Sequence, residues 1–474
     1  RGSSFRPRFR EESRGMQKLN TLLLAATLGL AASTAYSAMP TPAATSARSP
    51  DSLRMAPPAA GASTAADSLH RSAAADSLHR GAVADSLQRG AVTDSLRMAP
   101  PAAGASTPAD SLRAVDYLWV VRTALVDPAE LPRIVDQARA MGVRGLLVQV
   151  VGRGDAYYRS SLLPPAEVLA TALAARPDYD PLGELTALAH AAGLEVHAWV
   201  NCMLVWSAPD RPSDRHHVVL AHPEWVACLR DGRRMTRLTQ QERVRLGIEG
   251  AFLAPAHPAA REFLARVAAE ISRRYAVDGI HLDYIRMPGA DVGYDPETRA
   301  RFQLETGFDP MHVRRLTDEQ RAQMDTAWQS FRRRQVTLAV RVIGDSVRAA
   351  RPGLALSAAV LPDTLVARTR FAQDWTAWLR LGLIDRAFTM CYASPIETVM
   401  EQVAGYAQDP ALRGRVVPGI AVYNCPPAYA AAKILGARAL GYPLLALYSY
   451  DVLEDNPGYW SRLRGSMAAA GGRP

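Results

Sequence analysis

The chain has 474 residues, enough for two or three average domains or for one β/α barrel with long additions. Apolar residues make up 48% of it, which excludes a chain too polar to bury a core. The formal charge of +9 divides into +5 over residues 1–113 and +4 over the remainder, and no aromatic-basic alternation accompanies it, so a nucleic-acid partner is not expected.

The first element in chain order is an apolar run. Met16-Gln17-Lys18 opens a short basic segment, Leu19 to Ala32 are mostly apolar, and Ala35-Tyr36-Ser37 places small residues before Ala38. This is the order of a secretory signal peptide, too short for a membrane span, with residues 1–15 as an upstream extension. A secreted or periplasmic location follows, with no stable membrane span after cleavage. An uncleaved anchor is the alternative.

From Met39 to Arg113 the sequence repeats. Asp-Ser-Leu recurs at Asp51, Asp67, Asp76, Asp85, Asp94 and Asp110, and the eleven residues from Arg54 to Thr64 return verbatim from Arg97. Each unit carries about one large apolar residue and cannot bury a face, so residues 38–113 are expected to form a low-complexity tether rather than a solenoid. The four cysteines, Cys202, Cys228, Cys391 and Cys425, are too few for a disulfide scaffold and fit no zinc ribbon. Buried free thiols are the expectation; a Cys391–Cys425 pair is the alternative.

After Arg113 apolar β-rich runs alternate with amphipathic helical runs. The strands are predicted at Tyr117–Val126, Arg144–Gly152, Glu195–Leu204, Gly279–Ile285, Leu354–Leu361, Arg386–Ala393, Val416–Asn424 and Pro443–Val452. Several are nearly continuous apolar runs, as parallel strands covered on both faces require. Helices are predicted at Asp127–Met141, Pro181–Ala192, Pro258–Tyr275 and Ala322–Ala350; in the third, Phe263, Val267, Ile271 and Tyr275 make one stripe. Eight strand–helix units predict a single (β/α)8 TIM barrel over residues 114–474. An open doubly wound sheet is the competitor, but it would normally carry a Gly-rich phosphate loop after an early strand. The long connections, 153–180, 205–257 and 286–321, all follow strands, on the side where barrels keep their chemistry.

The fourth predicted strand runs Asp278-Gly279-Ile280-His281-Leu282-Asp283-Tyr284-Ile285-Arg286-Met287-Pro288. A carboxylate at the rim of an apolar barrel is costly unless paired or functional, so Asp283 is read as catalytic; a salt bridge to Arg286 is the structural alternative. Alternation places His281 on the same side, one layer deeper, either tuning Asp283 or satisfied in the core. Asp278 is read as a cap on the preceding turn.

This segment resembles the strand-four motif of the glycosyl-hydrolase-like 10 proteins, close to D-G-I-H-x-D-Y or D-G-I-H-x-D-D-Y with Pro shortly after. Trp199-Val200-Asn201, the Trp328 helix with Phe331-Arg332-Arg333, Gln373-Asp374-Trp375, Met390-Cys391-Tyr392 and the run Pro418 to Tyr423 are similar to further family motifs in the same order. The resemblance implies a barrel glycosidase of bacterial envelopes acting on cell-wall glycans. Tyr284 stands where some members carry a second Asp.

Glycoside hydrolysis generally needs two carboxyl groups. Asp363, Asp451 and Glu454 follow other predicted strands, while Asp155 and Glu397 lie further into loops. Asp451 is preferred, because Tyr448-Ser449-Tyr450-Asp451 is predicted to end its strand as Asp283 does; a capping role is the alternative for each. Gln149, Asn201, Tyr284, Tyr392, Tyr423 and Asn424 are candidates for binding sugar hydroxyls. Trp199, and with it Trp206 and Trp225, could stack on sugar rings or simply pack. His216, His217 and His222 read as loop residues; no metal site and no cofactor is expected. A barrel that binds envelope glycans or a protein without catalysis is the competing function.

Overall fold

The computed structural model describes residues Ala114–Gly471. The leader-like run and the repetitive segment lie outside the described residues. Eight parallel strands close into a barrel: β1 (Tyr117–Val120), β2 (Gly145–Val151), β3 (Glu195–Asn201), β6 (Gly279–Asp283), β7 (Ala355–Val360), β8 (Arg386–Cys391), β9 (Val416–Ala421) and β10 (Ala446–Tyr448). Between β3 and β6 a small antiparallel ribbon, β4 (Leu204–Trp206) with β5 (Ala251–Phe252), stands outside the barrel. The predicted (β/α)8 barrel is therefore the observed fold.

Alternation along the strands divides the core in two. Tyr117, Trp119, Leu147, Trp199, Phe388 and Val417 fill the barrel, while Leu118, Val120, Leu146 and Val148 pack outward under the helices. Gly419 makes room for the interior Trp119: a Cβ there would lie 2.6 Å from the indole ring.

The outer layer includes α1 (Glu130–Met141), α2 (Pro181–Ala191), α3 (Pro258–Arg274), α4 (Pro296–Thr306), α5 (Asp318–Ala350), α6 (Ile396–Ala407), α7 (Pro427–Ala439), α8 (Tyr450–Glu454) and α9 (Tyr459–Gly471). In α3, Pro258 supplies the first-turn φ and Phe263, Val267 and Ile271 form the buried stripe. Arg273 and Arg274 sit in its last turn, where the helix dipole favours cations, and Tyr275 leaves it in an extended conformation. The long helix α5 starts four residues before its predicted boundary, on a reciprocal Thr317–Gln320 capping box. Its first half packs Met324, Trp328 and Phe331 with Phe302 of α4 into a satellite core, so the long connection after β6 is itself folded. Among the described residues, no helix is long and apolar enough to cross a membrane.

All eight predicted strands overran by one residue or more, and three of the overruns bear on the site. The first stops at Val120 and turns into a 3-10 helix at Arg122–Leu125. The third leaves the barrel after Asn201, where the Cys202 and Met203 amides donate to the carbonyls of Asp283 and Tyr284. The last ends at Tyr448, and Asp451 lies in the first turn of α8 rather than at a strand end. Apolar residues are buried on both sides of each break, so hydropathy did not mark it.

Asp116 closes the barrel. Its N–H donates to the Leu445 carbonyl at 2.8 Å, its carboxylate accepts from the Leu445 N–H and the Arg438 guanidinium, both at 2.8 Å, and its carbonyl accepts from the Arg144 N–H at 2.7 Å. Asp116→Ala would leave the buried Leu445 N–H without its acceptor. The expected loss is about 2 kcal/mol of unfolding free energy, read by urea denaturation with an unchanged slope. A variant within about 0.5 kcal/mol of the parent would show that the seam does not depend on this carboxylate.

Candidate active site

The C-terminal end of the barrel carries one buried carboxyl group at a strand end and a half-buried one in the helix that follows the last strand. Asp283 is the last residue of β6 and is 7% exposed. The Trp199 indole N–H donates to its Oδ2 at 3.1 Å, and the N–H of Tyr284 donates to its Oδ1 at 2.6 Å. Tyr284 makes that contact from a left-handed conformation, φ 50°, which a bulky side chain rarely adopts. Burial raises the Asp283 pKa to about 6; the Tyr284 amide, Arg286 and Trp199 oppose the rise, and Glu249 adds to it.

Asp451 reaches the same rim from α8. The Thr123 hydroxyl donates to its Oδ1 at 3.3 Å, and Oδ2 is enclosed without a hydrogen-bond partner. Burial raises this pKa also to about 6. Both acids act on Tyr448: burial first, then Asp451, Tyr423 and Asp283, raise its phenol pKa well above the usual value.

Aromatic rings line the same end of the barrel. Tyr448 lies 5.1 Å from Tyr392, 6.1 Å from Tyr423 and 6.0 Å from Trp119, centroid to centroid. Asn424 beside them donates to the Tyr392 carbonyl at 2.7 Å and keeps a buried Oδ1 without a partner. On the opposite strands Arg122 donates to Gln149 at 2.9 Å, Gln149 to Asn201 at 3.2 Å, and Asn201 to the Gly152 carbonyl at 2.8 Å. Each of the two amides thus has its oxygen and one N–H committed to the protein and retains one N–H.

His281 is fully buried one layer below Asp283 and makes no hydrogen bond to it. Its Nε2 accepts from the Trp119 indole at 3.3 Å, which puts its proton on Nδ1, facing the Ser357 hydroxyl at 2.9 Å. Burial pulls its pKa down to about 3, so it is a neutral strut under the rim.

The other candidates fall elsewhere. Asp363 caps a short helix through the Val366 N–H at 2.9 Å, and Glu397 is exposed in the first turn of α6. Glu454 ends α8, and Asp155 is buried against the Arg153 N–H at 2.8 Å. Trp206 donates to the Asp210 carbonyl and packs on His217; Trp225 stacks on His222, 3.7 Å between centroids. His216 and His222 pair locally with Asp214 and Glu224, and among the described residues no three His, Cys, Asp or Glu side chains cluster as metal ligands would. Asp278 accepts from the Val196 N–H and His190 at the opposite face. All four cysteines are free thiols, including Cys391 and Cys425.

The alternative of a salt bridge between Arg286 and Asp283 is not what forms: Arg286 pairs with Glu249, at 2.7 Å, both side chains 3% exposed. Sequence reasoning missed this pair and Tyr448. Glu249 had no signal, lying in a long loop. Tyr448 had one, as the residue ending the last strand.

A closed parallel barrel with carboxyl groups and an aromatic wall at its C-terminal rim is the frame of a glycoside-hydrolase-like protein. Residues 111–429 match the glycosyl hydrolase-like 10 family model, and the chain belongs to that family. It is 25% identical over 232 residues to Glycosyl hydrolase YngK of Bacillus subtilis, covering 47% of this chain and 38% of that one. It is 25% identical over 173 residues to Glycosyl hydrolase DigH of Escherichia coli, covering 35% and 37%. The matched segments thus span well under half of these relatives. The PgaB (BpsB) glycoside hydrolase domain from Bordetella bronchiseptica shares the fold, with a TM-score of 0.57, 16% identity, and coverage of 74% of this chain and 98% of that domain.

Proposed function

We propose that this protein is an exported glycosidase that cleaves glycosidic bonds in a bacterial envelope or cell-wall polysaccharide, using Asp283 and Asp451 as its paired carboxyl groups. The observation that carries the reading is the pair itself. Two acids from different strand–helix units, both raised to about 6 by burial, act on the same Tyr448 phenol at the C-terminal rim of the barrel. The apolar leader at Met16–Ser37 supports export.

The two environments divide the labour. Asp283 receives two N–H donors, which favour the carboxylate, so it bears the negative charge that meets the oxocarbenium-like transition state, as nucleophile or as base toward water. Burial raises Asp451 against the opposing pull of its own N–H, the Val121 N–H and the Thr123 hydroxyl, and its Oδ2 stays outside any close hydrogen bond; on this reading it holds the proton and delivers it to the leaving-group oxygen. The hydroxyls of Tyr392, Tyr423 and Tyr448, with the uncommitted groups of Gln149 and Asn424, bind sugar hydroxyls. Tyr284 and Trp199 hold Asp283 beside them. Asn201 and His281 act through their neighbours, keeping Gln149 and Trp119 in place.

Removal of the acid tests the assignment. On purified cell-wall glycan strands, Asp451→Asn is expected to lower kcat by about 10²- to 10⁴-fold. A nitrophenyl glycoside, whose leaving group needs no proton, should lose far less. Equal losses on both substrates would remove Asp451 from the acid role. A parent protein that binds the strands without cleaving them would instead establish the non-catalytic glycan-binding reading.

A further inference from the structure

Beside Asp283 lies a charged pair that the mechanism above does not use. Arg286 follows β6 by three residues, and Glu249 comes from the connection between the ribbon strands, just before β5. They meet at 2.7 Å, almost wholly buried. The Arg286 guanidinium lies 4.9 Å from the Tyr284 ring centroid, 5.2 Å from that of Phe371 and 5.8 Å from that of Phe252. Glu249 Oε2 and Arg286 Nε remain buried without hydrogen-bond partners. A buried pair so incompletely satisfied does little for stability, since similar apolar groups would pack there at least as well. Its retention in the fold calls for another reason.

The surrounding contacts supply one. Phe252 packs edge-on against Tyr284, 6.0 Å between centroids. Leu253 N donates to Met203 O, and Met203 N donates to Tyr284 O, so the ribbon is hydrogen-bonded to the backbone at the end of β6. Gly250 lets the ribbon close, because a Cβ there would run into the Trp206 carbonyl. On the other side Met287 N donates to Phe371 O, from the connection after β7. Arg286 is thus held between two βα connections, with the left-handed Tyr284 lying across it.

We propose that the Glu249–Arg286 pair is a positioning device for Asp283: it locks the left-handed turn at Tyr284, from which the Tyr284 N–H grips one carboxyl oxygen, and it couples the ribbon to the reacting acid. This rests on Asp283 being a reacting carboxyl. The groups facing Asp283 are Trp199 and Cys202 from β3 and its exit, Tyr284 and Arg286 from its own strand end, Glu249 from the ribbon, Tyr392 after β8 and Tyr448 of β10. Only Glu249 and Arg286 carry full charges among them, and they act on Asp283 in opposite senses.

The test titrates Asp283 directly, by carbon-13 NMR of its side-chain carboxyl in the full chain, assigned with Asp283→Asn. Glu249→Gln is expected to lower the midpoint, and Arg286→Met to raise it, each by about one unit. On glycan strands the acid limb of the kcat profile should move with each midpoint while KM stays within about 2-fold. Glu249→Gln preserves shape and decides the matter if Arg286→Met yields too little folded protein. In both folded variants the Tyr284 amide, read by nitrogen-15 NMR, should also exchange with water at least about 10-fold faster than in the parent; unchanged exchange in a folded Glu249→Gln protein would overturn the proposal, whichever way the midpoint moves. Because the NMR titration needs no turnover, a parent protein without glycosidase activity would remove the functional reading and still leave the positioning role decided.

Discussion

Asp283→Asn is expected to abolish glycan cleavage, lowering kcat by at least about 10³-fold with binding of the strands retained. The amide keeps the size of the side chain, and its one oxygen can still accept from the Tyr284 N–H or the Trp199 indole, though not from both, so the barrel end should stay assembled at the loss of one hydrogen bond. What it loses is the charge. An amide neither attacks the anomeric carbon nor takes a proton from water, whichever of these Asp283 does. The measurement is product release from purified cell-wall strands by the variant and the parent, beside strand binding by sedimentation. Cleavage within about 10-fold of the parent would remove Asp283 from the reaction.

The same substitution should make the protein more stable above neutrality. A carboxyl raised from 3.8 to about 6 by burial is happier protonated in the fold than in the unfolded chain. Its favourable contribution is complete below the unfolded value near pH 4, falls as the pH rises, and is lost above the folded value near pH 6. Asn carries no such dependence. At pH 8 Asp283→Asn is therefore expected to exceed the parent by up to about 3 kcal/mol, and at pH 4 the two should nearly coincide. Thermal melts at the two pH values read the difference. Parallel melting at both would mean that the carboxyl is not strained by its burial. The two results taken together, lost turnover with gained stability, are the mark of a residue kept for chemistry.

The barrel was legible because parallel strands covered on both faces leave long apolar runs, and each such run sits where a strand was expected. Legibility failed where an apolar run passes from strand into helix, as at Val121–Val126 and Tyr450–Leu453, since both conformations bury the same side chains there. That failure moved Asp451 from a strand end to a helix turn without removing its carboxyl from the rim. Asp283 could be found from position alone. Arg286 could not be assigned its partner, because Glu249 stands 37 residues upstream in a connection with no periodic signal. Several residues in the family-like motifs have structural work in the fold. Trp328 and Phe331 fill the satellite core, Arg332 donates to the Gly289 carbonyl, and Gln373 and Trp375 both bind the backbone of Leu361. A motif shared in order along a chain therefore marks the architecture as well as the chemistry.

The Asp116 seam has a consequence for how the chain is made. The residue that closes the ring stands at the start of β1, and its partners Arg438 and Leu445 are 322 and 329 residues away. During synthesis β1 can pair early with β2, but its other edge waits for nearly the whole domain to emerge. Until then an apolar strand edge stays open, the kind of surface that recruits other chains. A chain whose last strand has not yet emerged would hold at most an unclosed seven-stranded sheet, with the β1 edge free to pair wrongly.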